Sequence, residues 1–299
     1  MTSPRLRYLP FFLAGPALFA VSLTGTQTAD TVTLGKGNHT LKGAYVVPAG
    51  KKLEIKSGAV IVADKNAALD VKGSLIVEAD VAAPAIVKGA KWRGIHAAET
   101  STVELTGLQV SNADIGLNVE GPLGKLDSCV FAKNVKGVKL DGKGQVAVVN
   151  CLIADNADYG MRLTRMSGTI DKCSFLRNKN FGLTLGETNP KLTGCLFADN
   201  NGGGIEQSNA SSSTGLSGTG CAFEGKALAM VSSMSHGSIE FTQCWWGDKN
   251  TSLLKAKGDK AILPNVKDAR NGGGSLKVYW AGFLTAAPKP VGADVKSKL

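Results

Sequence analysis

Between residues 43 and 91 the chain alternates apolar and polar positions in short runs. Leu53-Glu54-Ile55-Lys56, Val60-Ile61-Val62-Ala63, Leu69-Asp70-Val71-Lys72 and Leu75-Ile76-Val77 are separated by turn signals at Gly58 and Gly73. A period of two is that of a strand with one face buried, so the aliphatics turn inward while Glu54, Lys56, Asp70 and Lys72 turn to solvent. Nowhere does the 3.6-residue stripe of an amphipathic helix appear.

From about residue 105 the same short runs acquire a longer period. Cys129, Cys151, Cys173 and Cys195 follow one another at intervals of 22, and Cys221 and Cys244 continue at 26 and 23, so all six cysteines form one column. Each has a large apolar residue two positions later: Phe131, Ile153, Phe175, Phe197, Phe223 and Trp246. Asn134, Asn156, Asn178 and Asn200 stand five residues after their cysteines and are followed by Gly-apolar steps such as Gly137-Val138 and Gly160-Met161. Short strands at a fixed period predict stacked coils. The expected fold is all-β: a single-stranded right-handed parallel β-helix of roughly ten coils, its hand following the rule for parallel strand connections.

This repeat divides the chain. Residues 30–248 are predicted to be the β-helix, with a leading cap near 30–45, and 249–285 a closing cap whose tryptophans cover the open end of the interior. Residues 286–299, with Pro288 and Pro290, are predicted to be a disordered tail. The 26-residue interval contains a Ser/Gly-rich insertion, Ser208 to Gly220, expected to bulge as a flexible loop. Ahead of the repeat, Arg5 and Arg7 precede an apolar run from Tyr8 to Leu23, and small residues follow to Ala29. That order is the pattern of a secretory signal peptide over 1–29, so the protein is expected to be exported, to the periplasm, the cell surface or beyond, with no membrane span in the mature chain.

Six cysteines in an exported protein ordinarily suggest disulfides. Here their side chains point the same way from in-register strands about 4.8 Å apart, which opposes the dihedral a disulfide needs, so a buried ladder of mostly free thiols is expected. Charge adds a partner class. Removing residues 1–29 takes two Arg and no acids, leaving 32 Lys and Arg against 24 Asp and Glu, or +8. Such a protein meets polyanions, acidic polysaccharide or other cell-envelope polymer among them, although the lysines form no run and no nucleic-acid motif is present.

The Cys-x-Phe and Asn-Gly turns, the Trp92-Arg93-Gly94-Ile95 step and the Trp245-Trp246-Gly247-Asp248 terminus resemble bacterial secreted right-handed parallel β-helix proteins of the pectate-lyase-like superfamily. The likeness covers about residues 40–285. It implies the fold and leaves activity open, since that superfamily includes polysaccharide lyases, glycoside hydrolases, tailspikes, adhesins and members without known activity.

Aligning coils on the cysteines brings two sets of side chains into register. Lys133, Asp155, Arg177 and Asp199 form a column of alternating charge, read as a surface salt ladder, with a catalytic or calcium cluster as the functional alternative. Lys139, Arg162, Thr184 and Glu206 form a second outward column, with Arg165 at the following turn. Lys139, Arg162 and Arg165 are the candidate contacts for an extended acidic chain, since guanidinium pairs with carboxylate in bidentate fashion. The Asn column is read as structural, Asn tolerating the left-handed backbone of a tight turn.

Catalytic signatures are missing from the sequence. Glycoside hydrolysis needs two carboxylates at a set separation, yet Arg177 stands between Asp155 and Asp199 and would keep both ionised. The paired-Asp and Gly-His-Gly motifs of the polygalacturonase branch and the acidic calcium cluster of pectate lyases are absent. His39, His96 and His236 read as isolated surface or turn residues, and no metal or other cofactor is implied. Two readings follow: a non-catalytic exported β-helix that binds acidic polymer, and, as the alternative, a polysaccharide lyase or glycoside hydrolase with unassigned catalytic residues.

Overall fold

In a computed structural model, described for residues 20–208, 216–225, 230–233, 236–272 and 275–299, the alternating runs wind into one parallel β-solenoid. Each coil lays down three strand segments, and each segment pairs in parallel with its counterpart in the next coil. The first face runs from Ser22-Leu23 through Ala59–Ala63, Val130–Ala132, Leu152–Ala154, Ser174–Leu176 and Leu196–Ala198 to Ala222–Glu224. About nine turns separate its ends. The second face includes Ala68–Val71, the start of Lys136–Val149, the start of Met161–Asp171, Phe181–Gly186 and Gly203–Ser208. The third includes Lys52–Lys56, Ser74–Glu78, Thr102–Thr106 and Leu123–Asp127.

Inward positions stack residue on residue. Cys129 to Cys244 are all free and buried, and each Sγ–H donates to the carbonyl two residues before it, for example Cys151 to Val149 at 3.2 Å. Burial pushes the Cys129, Cys151 and Cys173 thiols above their ordinary pKa, which keeps them protonated. Beside them Phe175, Phe197, Phe223 and Trp246 stack with ring centroids 4.9, 5.2 and 4.6 Å apart. One coil spacing is close to the preferred offset-stacking distance of aromatic rings, so the repeat itself supplies the geometry. Trp246 meets Trp280 edge to face at the closing end, and both are buried.

The corner between the first and second faces shows why the Asn and Gly columns exist. Asn156 Oδ1 accepts from the Asn134 N–H at 3.0 Å, Asn156 Nδ2 donates to Asn178 Oδ1 at 2.9 Å, and Asn178 Nδ2 donates to Asn200 Oδ1 at 2.8 Å. This amide ladder satisfies backbone groups that turn away from the sheet. The left-handed residue is not the Asn but the one before it: Lys133, Asp155, Arg177 and Asp199 have φ of 60°, 57°, 51° and 54°. At Gly160 a Cβ would sit 2.5 Å from the Gly182 carbonyl oxygen, so the tight step after the ladder requires glycine.

Three boundaries differ from expectation. The strand Ser22–Thr26 pairs with Gly37–Val47 and buries Leu23, so the first coil begins inside the stretch expected to be removed; residues 1–19 of that stretch lie outside the described residues. Within the closing cap, Asp248–Lys257 is an α-helix that buries Asn250, Thr251 and Leu254 on one side, too few apolar positions to register as a stripe. Among the described residues no helix is long and apolar enough to cross a membrane. The centre of the expected flexible loop, 209–215, falls outside the described residues.

The third difference is the largest. In place of a disordered tail, residues 292–299 form an extended strap laid across the outside of the first face. The Gly292 N–H donates to the Gly194 carbonyl at 2.8 Å, Ala293 N–H to Ser174 Oγ at 2.8 Å and Asp294 N–H to Asn150 Oδ1 at 2.7 Å. Gln109 then donates to the Lys296 carbonyl and accepts from the Lys298 N–H, at 3.0 and 2.8 Å. Six residue steps of about 3.3 Å match four coil spacings of about 4.8 Å, so a fully extended chain fits the groove. Val295 packs on Val130 and Ala132, forming a small apolar cluster outside the main core.

Candidate functional site

The second face carries one outward polar stripe. Its register runs Asp70, His96, Asn118, Lys139, Arg162, Thr184 and Glu206, each on the coil after the last. Alternation along each strand turns these side chains away from the core, although Thr184 is covered by its neighbours and only 5% exposed, while Val138, Leu140, Met161 and Leu163 are buried inside.

At the centre of the stripe Lys139 and Arg162 are strand neighbours. Arg162 is exposed and lies over the Tyr159 ring, its guanidinium carbon 4.8 Å from the centroid. Tyr159 is buried, and burial pushes its phenol above the ordinary range, so the ring under Arg162 stays neutral. Among the described residues neither Lys139 nor Arg162 has a carboxylate within ion-pair distance. Beyond them Arg162, Thr164, Thr184, Gly186 and Glu206 line a shallow depression of about 370 Å³.

Arg165 is placed differently. It occupies a turn at φ 57°, and its guanidinium is 2.6 Å from Asp141 Oδ1. Of the three candidate glycan contacts, the structure therefore brings Lys139 and Arg162 together with free charges and gives Arg165 to an intramolecular pair. The alternating column is also uneven. Arg177 binds Asp155 through two contacts of 2.8 Å, which hold the guanidinium above its ordinary pKa, whereas Lys133 turns to the Leu299 carbonyl at 3.0 Å. No ion pair joins Arg177 to Asp199. With both partners substantially exposed, the single pair contributes roughly 0.2–1 kcal/mol.

His96 is not isolated. Its Nε2 lies 3.2 Å from Glu120 Oε1 and its Nδ1 3.9 Å from Asp70 Oδ1, in a small depression of about 240 Å³ that Arg93 and Asp114 also line. Alignment on cysteines misses this group because the coils that hold Asp70, His96 and Asn118 precede Cys129. The steps from Asp70 to His96, His96 to Asn118 and Asn118 to Lys139 are 26, 22 and 21 residues, so counting back from Lys139 by the 22-residue repeat lands on the inward Leu117 and Ile95, one position off the outward column. Among the described residues no set of three His, Cys, Asp or Glu groups is arranged to hold a metal ion. His39 instead serves the first coil, accepting from the Val21 N–H at 3.2 Å; the side chain of His236 lies outside the described residues.

The family model for the right-handed β-helix region matches residues 85–245. No curated protein and no solved structure matches the chain.

Proposed function

From a chain that belongs to the right-handed β-helix family, we propose a protein that binds an extended acidic polysaccharide, or a comparable anionic polymer of the cell envelope, along its second face without cleaving it. The observation that carries this reading is the adjacent pair Lys139 and Arg162: two cations about one coil apart, with no carboxylate partner among the described residues, on a flat stripe. A polyuronate presents carboxylates at a regular spacing along an extended chain, and each bidentate contact to guanidinium adds specificity as well as charge. The net positive charge of the chain favours encounter with such polymers. Export fits the same reading, supported by the basic start and apolar run before Ser22.

Retardation in gels containing polygalacturonate tests it. Lys139→Glu with Arg162→Glu should weaken binding at least about tenfold, a loss of about 1.4 kcal/mol, and Arg165→Ala should leave it within about twofold because that guanidinium is already engaged. Equal retardation of wild type and the double variant sinks the proposal. A catalytic second reading rests on His96 between Asp70 and Glu120, a group that could exchange a proton with substrate. It requires unsaturated or reducing ends to accumulate when polymer is incubated with the protein, and that accumulation to vanish in His96→Ala.

A further inference from the structure

An acidic polymer laid along the second face meets opposite charge only in the middle of the stripe. Lys139 and Arg162 attract its carboxylates, but two coils beyond Arg162, across Thr184, the same column presents Glu206. Two coil spacings of about 4.8 Å put the Arg162 and Glu206 positions roughly 10 Å apart. A polymer with a carboxylate on every unit would therefore bring like charges together at Glu206, where they repel.

The ground between the two positions is concave. Arg162, Thr164, Thr184, Gly186 and Glu206 line the depression of about 370 Å³, with the covered Thr184 as its floor. Among the described residues neither charged end has an ion-pair partner. Arg162 is held over the Tyr159 ring, and the coil beyond Glu206 sets Val231, which carries no charge, beside it. Gly186 leaves room above the floor: a Cβ there would touch only Thr164, at 3.6 Å.

A ligand that fits this depression carries an acid at one end and a base at the other. Its carboxylate accepts from the Arg162 guanidinium and its ammonium donates to the Glu206 carboxylate, both charge-assisted hydrogen bonds. In a saccharide that pairing is a uronate next to an aminosugar whose amine is free. We propose that the Arg162/Glu206 depression binds such a pair, so that the second face selects, among acidic polysaccharides, those in which an unacetylated aminosugar adjoins a uronate. The inference rests on the polymer reading given above and adds to it a second charge at a stated place.

The test compares two polymers that differ in one group: heparosan, in which glucuronate alternates with N-acetylglucosamine, and the same polymer after partial removal of its acetyl groups. Each is titrated calorimetrically into the whole protein at one salt concentration, slightly below neutral pH, where the freed amine is an ammonium. The partly deacetylated polymer should bind about tenfold more tightly, the size of one charge-assisted hydrogen bond. Attraction to net charge alone predicts the opposite order, because each ammonium cancels a carboxylate. Glu206→Gln should erase the preference and leave the fully acetylated polymer bound as in wild type. Gly186→Val, which fills the depression with a residue suited to a strand and changes no charge, should erase it as well. Equal or weaker binding of the deacetylated polymer by wild type, or a preference that survives both variants, overturns the inference. The polygalacturonate gels decide the wider reading separately: retardation there with no preference here removes the amine site alone, and no binding to any of the three polymers removes both.

Discussion

The first and second faces are made by the same coils, yet their outward columns differ in kind. On the first face the outward positions read Val60, Ile86, Gln109, Val130, Leu152, Ser174, Leu196 and Ala222, mostly apolar. On the second they read Asp70, His96, Asn118, Lys139, Arg162, Thr184 and Glu206. Single apolar side chains such as the exposed Val62 are tolerated on the outside of this face, but from Gly194 to Gln109, where they follow one another coil after coil, the strap of 292–299 covers them. The polar column of the second face needs no cover, which leaves it free to meet a ligand. The comparison teaches that in a solenoid the outward columns, rather than the core, distinguish a face closed by the chain's own residues from one open to other molecules.

The sharpest way to break this contrast is to place the same group on both faces. Val130 is fully buried under Val295, so Val130→Asp should cost about 3–5 kcal/mol in urea unfolding, the penalty for burying an unpaired carboxylate in a packed site. Lys139→Asp on the second face should change stability by less than about 0.5 kcal/mol. Similar losses at the two positions would show that the strap is not a roof.

Loosening the strap should have a smaller effect. Gly292 has φ 79°, and a Cβ there would lie 2.4 Å from Ser174 Oγ and 2.9 Å from Leu196 Cβ. Gly292→Val should therefore destabilise by about 1–3 kcal/mol, matching deletion of 286–299, and should open Lys296 and Lys298 to trypsin. Polygalacturonate binding should persist in both. If deletion leaves the melting temperature where it was, the first face is stable uncovered and the comparison fails.

The smallest effect is expected at the corner where the two faces meet. Arg177→Ala removes the exposed pair with Asp155 and should cost about 0.5 kcal/mol at low salt and less at 1 M, where screening shortens the range of exposed charges. A loss several times larger would mean that the charge column supports the corner and the Asn ladder does not suffice.

The solenoid was legible in the sequence because its inward column repeats one residue type at one interval, and identical side chains in register leave a periodic trace. Lys139 and Arg162 were legible as a pair for the same reason, being counted from that column. Two things left no such trace. His96 belongs to coils of unequal length, where no cysteine marks the register. The strap makes contacts across separations from 98 residues, Gly292 to Gly194, to 216, Lys298 to Ala82, and a run of Gly, Ala, Asp, Val, Lys and Ser has the composition of an unstructured end. One signal was available. In Cys129-Val130-Phe131, Cys151-Leu152-Ile153 and Cys195-Leu196-Phe197 the residue between the two inward positions is itself apolar, which on a strand means that the outer side is covered too.

The strap also sets an order in time. Coils can stack one after another as the chain emerges, each on the one before, but the apolar exterior of the early coils stays unroofed until residues 292–299 arrive. The interval between making Gln109 and making its partner Lys298 is therefore a period of exposure, longest for the parts of the first face that fold soonest. A protein built this way is most at risk of sticking to its neighbours while its coils are stacked and the strap is not yet laid down, and residues 292–299 are the ones that end that risk.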